Sequence, residues 1–161
     1  MKKVISYIIL AAFLLSGCTS QNIMKLNDAI VKANDDLRVA AETFNVKFEK
    51  VKDDNYSLLE VDRKKMSDLI GDKLKAISDL KADMPGGEDF KNAFLDYYKF
   101  EKDIYDNEFK EICRLTGADD AAKFNEIILK MQDKTKKEDA MESNIHTQQE
   151  KFARKNNLKL Q

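Results

Sequence analysis

The sequence predicts an all-α protein: an antiparallel up-down-up-down four-helix bundle that follows a lipoprotein signal peptide. Apolar residues recur at the spacing of helices rather than of strands. The chain contains one proline and five glycines, so few positions would break a helix. The segments that join the apolar repeats are short, which forces each helix to turn back on its predecessor.

The N-terminal segment has the three parts of a bacterial lipoprotein signal. A short cationic stretch, Met1–Lys3, precedes an apolar run from Val4 to Leu15, and the sequence Leu-Ser-Gly-Cys ends at Cys18. This tetrapeptide resembles the lipobox that the lipoprotein signal peptidase cuts. An ordinary signal peptide or an anchor helix is the alternative, but the apolar run is shorter than the about 20 residues that span a bilayer. We therefore predict lipidation of Cys18.

Cleavage before a lipidated Cys18 implies a chain of three parts. Residues 1–17 are the signal peptide, residues 18–22 the lipidated anchor and a short tether, and residues 23–161 the helical bundle domain. The mature protein then lies outside the cytoplasm and is held to a membrane by acyl chains. Thr19 stands where an inner-membrane retention signal usually has aspartate, so the outer membrane is favoured in a host with two membranes. A host with one membrane would carry the protein on the outer face of that membrane.

Charge and cysteine content exclude some partners. The formal net charge is −1 at pH 7, and it becomes two charges more negative when Lys2 and Lys3 are removed. No overall basic field exists to hold nucleic acid, so no such partner is expected. With Cys18 lipidated, Cys113 has no other cysteine in the chain to pair with. We expect Cys113 to be a small buried apolar side chain; a thiol that pairs with another molecule is the alternative.

The first predicted helix carries a seven-residue apolar repeat. Its series consists of Ile23, Ile30, Leu37, Phe44 and Val51, with Leu26, Ala33, Ala40 and Phe48 near the complementary positions. Such a repeat is typical of one long amphipathic helix. Asp53–Asn55 interrupts the repeat.

The second predicted helix starts at Ser57-Leu58-Leu59-Glu60, which has the capping-box pattern. In that pattern the side chains of Ser57 and Glu60 accept hydrogen bonds from backbone amides at the helix start. The apolar stripe of this helix consists of Leu59, Met66, Ile70, Leu74, Ile77, Leu80 and Met84. Pro85-Gly86-Gly87 is expected to end it.

The third predicted helix is rich in aromatic residues. It begins near Glu88 and Asp89, which suit the positive end of a helix dipole. Its aromatic residues spread over about half of the circumference, and they are Phe90, Phe94, Tyr97, Tyr98, Phe100, Tyr105 and Phe109. In one interpretation this helix lies deepest in the bundle, with Tyr98, Tyr105 and Phe109 packed along its margin. In the other, these three residues form an exposed strip that binds a protein partner or an apolar ligand.

The fourth predicted helix follows Thr116-Gly117 and is capped by Asp119 or Asp120. Its apolar residues are Phe124, Ile127, Ile128, Met131, Ile145 and Phe152. The stretch from Asp133 to Asp139 is almost entirely charged. We expect a solvated stretch there, in a helix that extends beyond its neighbours.

The lipid fixes an orientation for the bundle, because the first helix starts within a few residues of Cys18. The C-terminal tail then returns toward the membrane, and its basic residues are Lys151, Arg154, Lys155 and Lys159. These cations are predicted to meet an anionic leaflet, at roughly 1 kcal/mol per charge near the surface. The alternative is ordinary helix-end chemistry, since cations suit a helix C-terminus.

Patterns that carry catalysis or hold metals are missing from the sequence. It has no serine nucleophile elbow, no phosphate-binding glycine loop and no zinc spacing, and its one histidine cannot supply multi-histidine ligation. No catalytic residue, metal site or cofactor is therefore predicted. A haem held by Met24 and His146 is the sharpest cofactor alternative. Against it, Ile145 occupies the inward position of the fourth helix, which puts His146 on the flank.

Four segments, besides the lipobox, carry a resemblance to known proteins, and they are Leu26–Val31, Tyr97–Phe100, Glu108–Ile112 and Gln148–Leu158. Together they resemble a family of small helical surface lipoproteins of Bacteroidota and spirochaetes. The last segment is also similar to periplasmic coiled-coil chaperones. The resemblance implies a helical fold and placement at the cell surface, and it brings no enzymatic residues with it.

The sequence thus predicts a membrane-anchored lipoprotein of the cell envelope that is not an enzyme. Its bundle would act as a protein-binding or structural module, with a protein as the expected partner. The alternative is a carrier that holds a small apolar ligand or haem between its helices.

Overall fold

The computed structural model describes residues 13–14, 21–51, 55–116 and 120–160. Residues 13–14 and 159–160 are described by their backbone alone. Its helices are α1 (Gln21–Glu49), a 3₁₀ turn (Tyr56–Leu59), α2 (Glu60–Ser78), α3 (Gly87–Asp106), α4 (Glu108–Ile112) and α5 (Ala121–Lys155). The short strands β1 (Phe13–Leu14) and β2 (Lys159–Leu160) pair antiparallel. The predicted all-α four-helix bundle is confirmed, with α1, α2, α3 and α5 as the long helices.

Helix α3 lies at the centre of the bundle. Twelve of its 20 residues are buried, because α1, α2 and α5 all pack against it. Helix α4 extends α3 after Asn107, whose side-chain amide donates to Asp103 Oδ1 at 2.6 Å. The third predicted helix is therefore two helices that meet at one residue.

The apolar repeat of α1 faces the core as predicted at Ile23, Ile30, Leu37 and Phe44, all of which are buried. The complementary series differs from the prediction. Leu26, Ala33 and Phe48 are buried, but Ala40 is half-buried, and the remaining inward positions are Asn27, Asn34 and Ala41. The amide side chains of Asn27 and Asn34 on this helix are therefore buried in the core of the bundle.

The capping box predicted at the start of α2 does not form. The Ser57 hydroxyl donates to Asn55 Oδ1 at 2.6 Å, and Glu60 accepts two hydrogen bonds from the Arg63 guanidinium, each at 2.7 Å. Arg63 is buried and also donates to the carbonyl oxygen of Tyr105. Because an ion pair to a buried arginine is stronger than a cap to a backbone amide, it takes the Glu60 carboxylate.

Helix α2 ends at Ser78 rather than at Met84. The Ser78 hydroxyl donates to the carbonyl oxygen of Lys75 at 2.8 Å, which competes with the backbone hydrogen bonds of the last turn. The carbonyl oxygen of Leu80 instead accepts from Lys91 Nζ on α3, at 3.1 Å. The chain after α2 therefore packs on α3 as an irregular segment before the glycine turn.

The middle of α5 packs against the bundle, so the stretch from Asp133 to Asp139 does not extend beyond its neighbours, although five of its seven residues are exposed as predicted. Glu138 is only 3% exposed. Lys134 Nζ contacts Asp103 Oδ2 at 3.0 Å and Glu108 Oε1 at 2.7 Å, which ties α5 to α3 and α4. At its C-terminal end, the Asn156 side-chain amide donates to the carbonyl oxygen of Pro85 at 2.8 Å. The end of α5 thus lies beside the α2–α3 turn, as an antiparallel bundle requires.

We predict that Gly87→Ala destabilises the bundle by about 1–3 kcal/mol, the range for forcing extra atoms into a packed site. A Cβ at this position would lie 2.3 Å from Met84 Sδ and 2.6 Å from the carbonyl oxygen of Ala82. The measurement is urea unfolding followed by circular dichroism. Gly71→Ala is the matched control, since its Cβ would meet Lys102 Cε at 3.5 Å in mid-helix, and we expect about 0.5–1 kcal/mol of stabilisation. Equal effects of the two substitutions would contradict the prediction.

Candidate functional site

Polar side chains meet in the middle of the bundle, where α1, α3 and α5 face one another. We call this set the central polar layer, and it consists of Asn34, Tyr97, Tyr98, Glu101, Glu138 and Glu142. All of these residues are buried except Glu142, which is half-buried. The core of a helical bundle is normally apolar, and burying polar groups there costs free energy, so we take this layer as the candidate functional site.

Helical spacing explains why two carboxyl groups are buried in this layer. Glu138 lies seven residues from both Met131 and Ile145, which are buried on the same stripe of α5. Glu101 follows Phe94 and Tyr97 at the three- and four-residue spacing of the inward face of α3. Both glutamates therefore occupy core positions that would ordinarily hold apolar side chains.

Two tyrosines line the layer from α3. The Tyr98 hydroxyl donates to Asn34 Oδ1 at 2.7 Å, in a buried hydrogen bond that joins α3 to α1. Burial raises the pKa of both the Tyr97 and Tyr98 hydroxyls far above its ordinary value, and the nearby Glu101 carboxyl raises the pKa further. Both hydroxyls therefore remain protonated at all ordinary pH values and act as hydrogen-bond donors.

Glu101 is the most constrained group of the layer. It is only 5% exposed, and its Oε1 has no hydrogen-bond partner among the described residues. Burial raises the pKa of this carboxyl well above its ordinary value, and the neighbouring Glu138 and Glu142 carboxyls raise it further. The surroundings thus favour the neutral, protonated form of Glu101. Oε1 of Glu142 is likewise buried and has no partner within the described part of the chain.

The chemistry available to the layer is proton exchange. Among the described residues, no three histidine, cysteine, aspartate or glutamate side chains are arranged to hold a metal ion.

Cys113 is buried elsewhere as predicted, and burial raises the pKa of its thiol to about 12, so it is a poor nucleophile. Sequence reasoning missed the layer, although the heptad position of Glu138 would have indicated it.

The structure contradicts the exposed aromatic strip. Tyr98, Tyr105 and Phe109, the predicted partner-binding residues, are 6%, 0% and 1% exposed. They are covered because α3 and α4 have neighbours on three sides and need a wide apolar face. The interpretation in which these residues pack within the bundle is correct, and the one in which they form an exposed strip is wrong.

Tyr105 and Phe109 belong to an aromatic cluster at the end of the bundle that contains the α1–α2 connection. We call this the distal aromatic cluster, and it consists of Phe44, Phe48, Tyr56, Tyr105, Phe109 and Phe124. The Phe44 and Phe109 rings meet edge to face with centroids 4.9 Å apart, and Tyr56 stacks on Phe124 at the same distance. The cluster joins α1, the 3₁₀ turn, α3, α4 and α5.

The remaining predicted site residues lie at the surface or outside the described residues. Cys18 is in the segment from 15 to 20, which is not described. Lys151, Arg154 and Lys155 are exposed at the C-terminal end of α5, and Lys159 is described by its backbone. These positions fit either interpretation of the basic tail.

The two residues suggested as haem ligands are both exposed. Met24 is 39% exposed, and His146 lies on the outer face of α5 while Ile145 is fully buried. The flank position predicted for His146 is therefore correct. The two side chains do not meet in the bundle interior.

Comparison with known proteins found no matching family model, curated protein or solved structure. The resemblance to surface lipoproteins therefore stays a prediction. None of the described helices has the length and apolar character needed to cross a membrane.

We predict that Phe109→Ala destabilises the bundle by about 3–5 kcal/mol, the usual effect of removing a buried aromatic ring. The ring is 1% exposed and contacts three other rings of the distal aromatic cluster, those of Phe44, Phe48 and Tyr105. Denaturant unfolding measures the change. Leu129→Ala is the control, because Leu129 is 61% exposed, and its effect should stay within about 0.5 kcal/mol. An effect of Phe109→Ala as small as the control would mean that the ring is solvated.

Proposed function

We propose that this protein is a membrane-anchored lipoprotein of the cell envelope that binds a protein partner or serves as a structural module, without catalysis. The lipobox that ends at Cys18 supports the lipid anchor. Position 19 holds threonine rather than the aspartate of an inner-membrane retention signal, which favours the outer membrane in a host with two membranes. In this proposal the lipid determines where the bundle is displayed.

The start of α1 supports a bundle that stands close to the membrane. Helix α1 begins at Gln21, inside the segment predicted as a tether and three residues after Cys18. The α2–α3 turn and the C-terminal end of α5 lie at this same end of the bundle, as the Asn156–Pro85 hydrogen bond indicates. We call it the proximal end. The opposite end, which carries the distal aromatic cluster, would face away from the membrane.

The distribution of exposed apolar side chains carries the protein-binding part of the proposal. Five of the six large apolar side chains that are exposed among the described residues lie in the distal half of the bundle, and they are Val39, Val46, Leu58, Val61 and Leu129. Only Met24 lies near the proximal end. Apolar groups exposed far from the anchor are well positioned for a partner in the envelope. The distal surface thus replaces the aromatic residues of α3 as the proposed contact.

The exposed cations of the proximal end support a second contact with the membrane. Lys151, Arg154 and Lys155 lie on the last turns of α5, beside the turn at Pro85. An anionic leaflet would attract such cations, and this attraction would hold the proximal end against the headgroups.

We expect Cys18→Ala to abolish acylation and to release the protein from the membrane fraction, because the Cys18 thiol is the proposed attachment point for the lipid. Metabolic labelling with a fatty acid, together with membrane fractionation, measures both effects. Cys113→Ala is the matched control, since Cys113 is buried and should leave labelling and fractionation unchanged. If Cys18→Ala were still acylated and membrane-bound, the proposed anchor would be wrong.

We expect the double substitution Leu58→Glu and Val61→Glu to release a protein partner that is captured with the lipidated wild type from its native envelope. Burying two unpaired charges at a contact should weaken it by about 2 kcal/mol or more, which is roughly thirtyfold. Quantitative mass spectrometry of the captured material gives the change. Met24→Glu is the control at the proximal end and should retain the partner. A partner that persists with the double variant, or is lost with Met24→Glu instead, contradicts the distal contact.

A further inference from the structure

The contact between α3 and α5 buries acidic groups, and one of them, Glu101, faces no cation among the described residues. Glu101 enters the contact from α3, and Glu138 and Glu142 enter it from α5. Glu101 is 5% exposed and Glu138 is 3% exposed. One oxygen of Glu101 and one of Glu142 are buried without a hydrogen-bond partner among the described residues. An ionised carboxylate in this position would be buried, unpaired and next to other acids, which is strongly unfavourable.

Two cations from the middle of α5 are engaged with other groups. Lys134 Nζ binds Asp103 and Glu108, and Lys137 Nζ lies 5.1 Å from the centre of the Phe100 ring. From its own helix, Glu101 is faced by the Tyr97 and Tyr98 hydroxyls, which burial keeps neutral.

Within the described residues, no cation of α1 or α2 faces Glu101 either. Helix α1 contributes the neutral Asn34, and its Asp35 adds further negative charge near Tyr98. On α2, Arg63 is paired with Glu60, and Lys73 is paired with Asp36 at 2.5 Å. A proton on Glu101 is therefore the simplest way to remove its charge.

We propose that the α3–α5 contact is proton-linked: Glu101 carries a proton while α5 packs against α3, and it releases that proton when the contact opens. In water the carboxyl of Glu101 ionises near its ordinary value of 4.5. Between that value and the raised pKa of Glu101 in the closed contact, the closed contact therefore holds up to one proton more than the open contact. Stability supplied by this proton is complete below pH 4.5 and is lost as the pH rises.

The effect on opening follows from the number of protons released. One proton released on opening shifts the equilibrium toward the open contact by up to about tenfold per pH unit. Both ends of α5 are held by aromatic contacts, Phe124 with Tyr56 and Phe152 with Phe90. The opening should therefore affect the middle of α5, around Glu138, before its ends.

The first test compares urea unfolding of the wild type and of Glu101→Gln at several pH values between 5 and 9. Glutamine cannot ionise, so the ratio of the unfolding constants, wild type over variant, should rise by up to about tenfold per pH unit from pH 5 upward. Glu150→Gln is the matched control, because Glu150 is exposed on α5 and its ratio should not change with pH. A ratio for Glu101→Gln that is flat across this range would overturn the proposal.

The second test measures local opening, and it also serves if Glu101→Gln folds poorly. Hydrogen exchange of wild type and variant at the same pH should show faster exchange in the wild type around residues 131–145 at pH 8, with the α2 amides unchanged. Infrared spectroscopy of the intact wild type at pH 7 should detect the carbonyl band of a protonated carboxyl group, and Glu138→Gln should retain that band. No such band at pH 7, or equal exchange in both proteins, would overturn the proposal.

Discussion

Helix α3 is covered on three sides, and the rest of the bundle is arranged around that burial. Its aromatic and aliphatic side chains contact α1, α2 and α5; α2 and α5 pack mainly against α3, whereas α1 packs more extensively against α2. Such a position requires a face wider than that of an ordinary bundle helix, which explains the spread of aromatic residues around α3. The same packing leaves Tyr98, Tyr105 and Phe109 buried.

The core has aromatic contacts at both of its ends and the central polar layer in its middle. Ring contacts hold the two ends, for example Phe44 with Phe109 at the distal end and Phe90 with Phe152 at the proximal end. Each such aromatic pair contributes about 0.5–1.5 kcal/mol beyond its apolar area. The central polar layer between them buries acids and therefore lowers the stability that the same volume of apolar side chains would give. The bundle thus joins two firmly packed ends through a middle whose stability depends on protonation.

The sequence predicts the long helices well, because the seven-residue series of α1 is a direct consequence of helical geometry. The sequence predicts the first and last residues of the helices less well. The Ser57–Glu60 pattern is a valid capping box, but the buried Arg63, a partner that only the tertiary fold supplies, takes the carboxylate of Glu60. The layer was missed for a different reason: Glu138 stands in a charged stretch, and composition suggested solvent although its heptad position pointed to the core. The position of Glu138 in the seven-residue repeat predicts its burial better than the charge of its neighbours does. Cys18 lies outside the described residues.

The pairing of Phe13–Leu14 with Lys159–Leu160 has a consequence for maturation. Strand β1 lies in the part of the chain that cleavage before Cys18 would remove, whereas β2 belongs to the mature protein. Upstream of β2, the Leu158 amide stays bonded to the carbonyl oxygen of Ala153 at 2.9 Å, so the chain is fixed up to that residue. The precursor and its processed product would then differ at residues 159–160, which pair with β1 in the precursor and lose that partner on cleavage.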